Sequence, residues 1–315
     1  PLGVDLIVID EASMLDLQLT YTLLKAIQPG THLLLVGDVD QLPSVGAGDV
    51  LLNLFASQRF PVTRLQTIYR QGEHSHIVSN AHAMNLGEMP QTSKDTDGDF
   101  FIDSTEDAAE ANAKIVALVT QRIPARFKLD PLQDIQVLSP MYRGPAGVSA
   151  LYEALQTALN PPSSLKPERL LLGQLLRVGD RLMQIRNNNA KTVFNGDYGR
   201  LLELSVAEQT LTVDIEGRRV SYEWSEADEL TLAYAITVHK AQGSEFRCVV
   251  MPVLSQHYIM LQRNLLYTGV TRAQSLCVLV GSRKAIGMAV NNNKVSQRWT
   301  GLTQRLAQAG RQSGA

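Results

Sequence analysis

The sequence predicts an α/β protein built on parallel sheets, with a small antiparallel barrel inserted late in the chain. Three observations lead there. Apolar strand-like runs alternate with segments of helical periodicity over most of the 315 residues, the pattern of strands joined by crossover helices. Two early runs end at acidic residues, Ile7-Val8-Ile9 at Asp10-Glu11 and Leu34-Leu35-Val36 at Gly37-Asp38, as buried parallel strands do at their ligand-bearing carboxyl edge. Over residues 193–230 the segments become short and alternating, separated by turns such as Glu216-Gly217, which is barrel spacing.

The elements follow in order. Residues 4–9 form a strand. Residues 15–27 carry apolar side chains at helical spacing and stop at Pro29-Gly30. A second strand covers 32–36, a helix 49–55 and a short strand 62–65. A new unit opens near Gln71 with a helix at 75–86, then a loop at 91–99 rich in helix breakers. A strand at 100–102, a long amphipathic helix at 106–122, a strand at 135–138 and a helix at 147–159 follow, the last halted by Pro161-Pro162. Residues 181–186 read as a strand. The barrel segments are 199–204, 210–215 and 220–224. Parallel patterning resumes at Ala233, with buried strands at 249–253 and 275–280, and the polar tail after Asn291 holds one helical stretch at 301–309. The implied division is 1–70 for the end of a first α/β domain, 71–192 with 231–290 for a second, 193–230 for the insertion and 291–315 for the tail.

Composition narrows the function classes. Hydrophobic content of 44% and charged content of 19% describe an ordinary globular protein. A net charge of −2 gives no global attraction to nucleic acid, so any such site must be a local groove. Cys248 and Cys277 lie in apolar runs and read as core residues of a reduced, cytoplasmic protein. The six histidines lack metal-ligand spacing. No apolar run approaches the ~20 residues that span a bilayer, and no signal peptide is visible.

Several short strings carry chemistry. In Asp10-Glu11-Ala12-Ser13, two carboxylates at a strand tip suit a Mg²⁺-bound phosphate and the polarisation of an attacking water; an acidic helix cap is the plainer reading. Gly37-Asp38-Val39-Asp40-Gln41-Leu42-Pro43 places a Gln at the next tip, where it can sense a γ-phosphate; a simple turn also uses these residues. Tyr69-Arg70-Gln71 sets an Arg where a cleft between domains would fall, or merely on the surface. Thr237-Val238-His239-Lys240-Ala241-Gln242-Gly243-Ser244-Glu245 offers hydroxyl, imidazole and ammonium groups suited to a phosphodiester backbone, or a polar helix cap. Tyr267-Thr268-Gly269-Val270-Thr271-Arg272-Ala273 places an Arg that can reach a γ-phosphate or form a structural ion pair. No Gly-x-x-x-x-Gly-Lys-Ser/Thr phosphate loop occurs. The chain opens at Pro1-Leu2-Gly3, almost on its first strand, and reads as a piece of a longer protein with that loop upstream.

In this order the five strings resemble motifs II, III, IV, V and VI of superfamily 1 helicases. They are most similar to the RecD-like group, the α-subunit family of exodeoxyribonuclease V and its stand-alone relatives. Asn195-Gly196-Asp197-Tyr198-Gly199 resembles the entry to the SH3-like insertion of that group. The resemblance covers nearly the whole chain but lacks motifs I and Ia. It implies RecA-like sheets and an SH3-like barrel in the C-terminal portion of an ATP-dependent 5′→3′ DNA helicase. It further implies ATP and Mg²⁺ as cofactors, with Asp10 organising the metal and Glu11 activating water. Gln41 would sense the γ-phosphate, and Arg70 and Arg272 would reach the phosphates from the second lobe. Gly243 and Glu245 would lie near the nucleotide, Glu245 by the ribose. Thr237, His239 and Pro43 would face single-stranded DNA. Subunits of a nuclease–helicase complex are the implied protein partners, and the nucleoid-associated cytoplasm the implied location, with no membrane. The alternatives are a non-hydrolysing module that binds single-stranded DNA or a partner, and the helicase half of a conjugative relaxase.

Overall fold

In β1 (Leu6–Ile9) and β2 (His32–Leu35) the strands run parallel with Ile9 opposite Leu35, joined by α1 (Leu17–Ala26). Asp16 starts α1 by accepting from the Leu19 amide at 2.7 Å, which satisfies one of the free N–H groups of the first turn. The computed structural model of the protein describes residues 1–65, 75–95, 97–293, 298 and 300–312. The expected burial of the first strand is not found within this chain. Leu6 and Val8 are 55% and 53% exposed, and α1 buries none of its residues. A two-stranded sheet covered by so little chain leaves its branched side chains open. α2 (Val50–Ser57) completes this lobe, and residues 62–65, expected as a strand, are irregular.

The second lobe is a five-stranded parallel sheet in the order β12-β4-β13-β14-β3. These strands are β3 (Phe100–Ser104), β4 (Ile135–Ser139), β12 (Ala235–Thr237), β13 (Phe246–Val253) and β14 (Ala273–Gly281). The side chains of β13 alternate between two apolar cores. Cys248 and Val250 face one layer with α4 (Ala108–Ala117) and α6 (Val148–Leu159). Val249 and Met251 face the other, with α3 (His76–Leu86), α7 (Arg263–Thr271) and α8 (Arg283–Asn291). Cys277 of β14 pairs in register with Val249, so the two cysteines fall in different cores. Both are free and buried, and burial raises both thiol pKa values. The expected single helix over 106–122 is instead α4, a π-helical turn at Leu118–Arg122 and α5 (Ile123–Phe127). Pro124 has no N–H for the helical ladder and its ring crowds the preceding turn. The ladder widens there, with the Ile123 amide bonded to the Leu118 carbonyl.

The insertion is larger than expected and is not a closed barrel. Its antiparallel sheet runs β10-β9-β8-β7-β11. The strands are β7 (Arg181–Gln184), β8 (Tyr198–Ser205), β9 (Thr210–Ile215), β10 (Arg218–Glu223) and β11 (Leu230–Leu232). Residues 181–184, read from sequence as part of the α/β unit, belong to this sheet because β7 pairs with both β8 and β11. Among the described residues no pairing joins β10 to β11. A hairpin, β5 (Glu168–Leu171) with β6 (Gln174–Arg177), precedes the sheet. It has no counterpart in the sequence reading, because its leucine-rich run hides the alternation. Leu172 and Gly173, with φ of 48° and 81°, make its turn. The sheet shares one continuous apolar core with α4 and α6 through Leu182, Leu201, Leu211 and Tyr222, so it is packed on the second lobe. α9 (Leu302–Gln312) returns to the first lobe, where Thr303 donates to Asn53 at 2.7 Å.

His257, 1% exposed in the turn after β13, accepts from the Leu254 amide through Nδ1, and burial lowers its pKa to about 4. A buried neutral imidazole stabilises the fold fully above its unfolded pKa of about 6.5, and that contribution is lost as pH falls toward 4. Urea titrations are therefore expected to show about 2 kcal/mol less stability at pH 5 than at pH 7 from this residue. His257→Gln is expected to flatten that slope; an unchanged slope would refute the assignment.

Candidate functional site

The tips of β1 and β2 are stitched together by backbone. The Val36 amide donates to the Ile9 carbonyl and the Ala12 amide donates to the Val36 carbonyl, each at 2.8 Å. Gly37 permits this approach: a Cβ there would stand 2.9 Å from the Ser13 nitrogen and 3.0 Å from the Ala12 nitrogen. Asp10 and Glu11 follow directly. The Glu11 amide donates to Asp10 Oδ1 at 2.8 Å, and Glu11 itself adopts φ 51°, ψ 39°. A left-handed glutamate is costly, and such strain concentrates at functional sites. It turns the Glu11 side chain toward the second lobe.

There it meets Arg272. This residue ends α7, is 3% exposed, donates to the Ser244 carbonyl at 3.2 Å and stands 4.0 Å from Glu11 Oε1. α7 is held down by Gly269, where a Cβ would lie 2.7 Å from Met251 Sδ. The segment Gly243-Ser244-Glu245 thus lies beside Arg272. Gly243 has φ +75° with open space around it, a conformation that suits glycine. Glu245 accepts from Gln274 at 3.1 Å. Glu11 of one lobe and Arg272 of the other therefore face each other, with Asp10 next to Glu11 in the chain and the Gly243–Glu245 segment on the Arg272 side.

At the β2 tip, the Asp38 carboxylate accepts from the Asp40 amide at 2.9 Å and from Gln41 Nε2 at 3.4 Å. Tyr267 of α7 also donates to it, at 2.8 Å. Burial, and then the Asp38 carboxylate, raise the Tyr267 pKa, so the phenol stays protonated. Gln41 Oε1 and Ser13 Oγ are buried without partners and line a cavity between the lobes, together with Pro43, Asn85, Arg263 and Asn264. Pro43 is thus placed in the interlobe cleft.

Thr237 and His239 lie apart from this cluster, at the carboxyl end of the edge strand β12. The Thr237 hydroxyl accepts from the Lys240 amide at 3.3 Å and starts the turn that carries His239. Burial lowers the His239 pKa, so the ring is neutral at pH 7. Arg70 lies outside the described residues.

Sequence reasoning missed Tyr267, Thr268 and Gln242 as cross-lobe contacts. Thr268 donates to the Asn264 carbonyl at 2.7 Å and accepts from the Leu42 amide at 2.8 Å, and Gln242 Nε2 donates to the Leu42 carbonyl at 2.6 Å. The available signal was helical spacing: Thr268 sits four residues before Arg272 in the same string, on the same face. Arg298, which donates to the carbonyls of Gly46 and Gly48 at 2.6 Å each, gave no signal in the polar tail.

Comparison with known proteins bears on this arrangement. The AAA domain family matches residues 2–106, the ATP-dependent RecD-like DNA helicase SH3 domain matches 151–215, and the UvrD-like helicase C-terminal domain matches 232–280. The ATP-dependent RecD2 DNA helicase of Deinococcus radiodurans is 37% identical over 97% of this chain. The chain is similar to RecD-like helicases along nearly its whole length. The RecBCD enzyme subunit RecD of Mycolicibacterium smegmatis is 31% identical, again over 97% of the chain. The chain spans 40% and 55% of the lengths of these two relatives. The Pif1 helicase from Bacteroides, solved in complex with ADP-AlF3 and ssDNA, shares the fold at a TM-score of 0.54 and 18% identity. That match covers 99% of this chain and 76% of that one. The RecA-like α/β fold expected from sequence is thus the fold found.

Gly37→Ala is expected to part the two strand tips and cost about 1–3 kcal/mol by overpacking. Hydrogen exchange should read it as faster exchange of the Ala12 and Val36 amides; wild-type protection would show that the gap is not tight.

Proposed function

We propose that this chain is the C-terminal motor portion of an ATP-dependent 5′→3′ DNA helicase, coupling ATP hydrolysis to translocation on single-stranded DNA. One observation carries the reading: Arg272 of one lobe and Glu11 of the other meet at 4.0 Å across the cleft, the relation that phosphoryl-transfer chemistry between two domains needs. Guanidinium neutralises transition-state charge, and a carboxylate orients water. Direction of travel rests on the family resemblance.

Mg²⁺ fits the donor set. Among the described residues no group of three His, Cys, Asp or Glu side chains is placed to cage a metal, and nucleotide Mg²⁺ takes only one or two carboxylates besides phosphate and water. Asp10 is the residue that would hold it, and the ion would supply charge neutralisation on the phosphates. Glu11 orients water, Arg272 and Arg70 reach the phosphates, Gln41 senses the γ-phosphate, and Gly243 and Glu245 border the nucleotide. Thr237, His239 and Pro43 face single-stranded DNA, with neutral His239 suited to a base or sugar contact.

The same reading places the protein in the nucleoid-associated cytoplasm, alone or with nuclease–helicase subunits. No helix among the described residues is long and apolar enough to cross a membrane. The alternative is a non-hydrolysing module for single-stranded DNA or a partner.

The deciding experiment is ATP turnover by the full-length protein, with and without single-stranded DNA. Stimulated turnover is expected, lost in Asp10→Asn. Arg272→Ala is expected to cut turnover by on the order of 10³-fold or more while nucleotide binding persists. Turnover unchanged in Arg272→Ala would sink the finger assignment. DNA binding indifferent to nucleotide, without turnover, would leave the binding module.

A further inference from the structure

Leu42 belongs to the first lobe by sequence and to the second by contact. Its side chain is 4% exposed and sits in the core formed by β13, α7 and α8. Its amide donates to Thr268 Oγ1 at 2.8 Å and its carbonyl accepts from Gln242 at 2.6 Å. All three of its interacting groups are therefore taken up by the other lobe, while its chain neighbour is Gln41, the proposed phosphate sensor.

The Thr268 hydroxyl is fully buried, and its proton is committed to the Asn264 carbonyl at 2.7 Å. It therefore meets Leu42 purely as an acceptor, in a fixed orientation. Thr268 and Arg272 are one turn apart on α7, separated by about 6 Å along its axis, and a helical turn transmits displacement with little give. Beside this contact lies the interlobe cavity, where Ser13 Oγ, Gln41 Oε1 and Asn264 Oδ1 are buried without partners. Buried polar groups without partners mark room for an alternative arrangement. Gln41 thus has space to move, whereas Leu42 has none.

We propose that Thr268 is a positioning residue: its hydroxyl, gripping the Leu42 amide, makes the sensor loop and the arginine-bearing helix move as one unit. The inference rests on the helicase reading. A shift of Gln41 on meeting phosphate is carried through Leu42 and Thr268 into α7, and with it to Arg272 and the second lobe. Tyr267, donating to Asp38 at 2.8 Å, holds the same loop one residue away on the helix. The contact is outside the reaction itself, so its loss uncouples the lobes without removing a group that touches substrate.

The test uses full-length protein and the pair Thr268→Val and Thr268→Ser. Valine keeps the shape and removes the hydroxyl; serine keeps the hydroxyl and removes the methyl. The readouts are turnover without DNA, turnover with single-stranded DNA, the KM for ATP, and base pairs opened per ATP. Thr268→Val is expected to keep DNA-free turnover and KM, and to lose DNA stimulation and unwinding per ATP by roughly tenfold, a usual size for coupling between sites. Thr268→Ser is expected to behave as wild type. Should Thr268→Val not fold, Tyr267→Phe carries the same expectation in the same direction. Wild-type coupling in Thr268→Val, or in Tyr267→Phe where that stands in, overturns the proposal. So does equal damage in Thr268→Ser, which would mark a packing role. Wild-type protein that turns over ATP but shows no DNA stimulation overturns this inference alone. Wild-type protein with no turnover at all overturns the helicase reading and the inference with it.

Discussion

Parallel pairing is the constraint on which the site depends. Parallel strands finish at the same edge of a sheet, so whatever follows β1 and β2 must emerge side by side. The segments carrying Asp10 and Asp38 therefore leave the same edge of the sheet before any side chain is chosen. The backbone bonds between Ile9, Val36 and Ala12 then fix their spacing, and Gly37 is the residue small enough to let them close. The second lobe obeys the same rule: β12 and β13 deliver Thr237 and the loop after Val253 to one edge, and α7 leads Arg272 back toward the first lobe.

From that geometry follows a division of labour at the cleft. Charged groups meet where a nucleotide would need them, Glu11 against Arg272. Neutral groups hold the lobes together beside it: the Leu42 side chain in an apolar core, and hydroxyl and amide bonds from Thr268, Gln242 and Tyr267. The distinction matters physically. A 4.0 Å ion pair with a partly exposed partner yields easily to a competing phosphate, whereas the buried Leu42–Thr268 hydrogen bond resists separation because each broken partner is left unsatisfied. A cleft built this way can exchange its charged contacts while keeping its mechanical ones. The tail adds a further tie through Arg298 and α9, which hold the loop at 44–48 and α2.

The open faces of the first lobe contrast with the second. Leu6 and Val8 are more than half exposed, while nearly every residue of β4, β13 and β14 is buried. The antiparallel insertion contributes to that difference by sharing the core of α4 and α6, so Leu182, Leu201 and Tyr222 bury area for both units at once. Its strands therefore act as part of the second lobe's support and not as an appendage on a linker.

The sequence by itself determined the elements whose cause is local. The strand tips at Asp10 and Asp38 and the helix starting after Asp16 were legible because period, capping and turn chemistry act over a few residues. The ordered strings also carried the family. Local pattern ran out where partners are distant: the hairpin at Leu172-Gly173, the π-turn before Pro124, and the capture of strand β7 by the antiparallel sheet. It was silent on Leu42, an apolar residue in a turn whose significance is that it fits another lobe's core. Only the tertiary structure decided that, because the hydrogen-bond partners of Leu42 lie 200 and 226 residues away in the chain, and no local propensity encodes a contact at that separation.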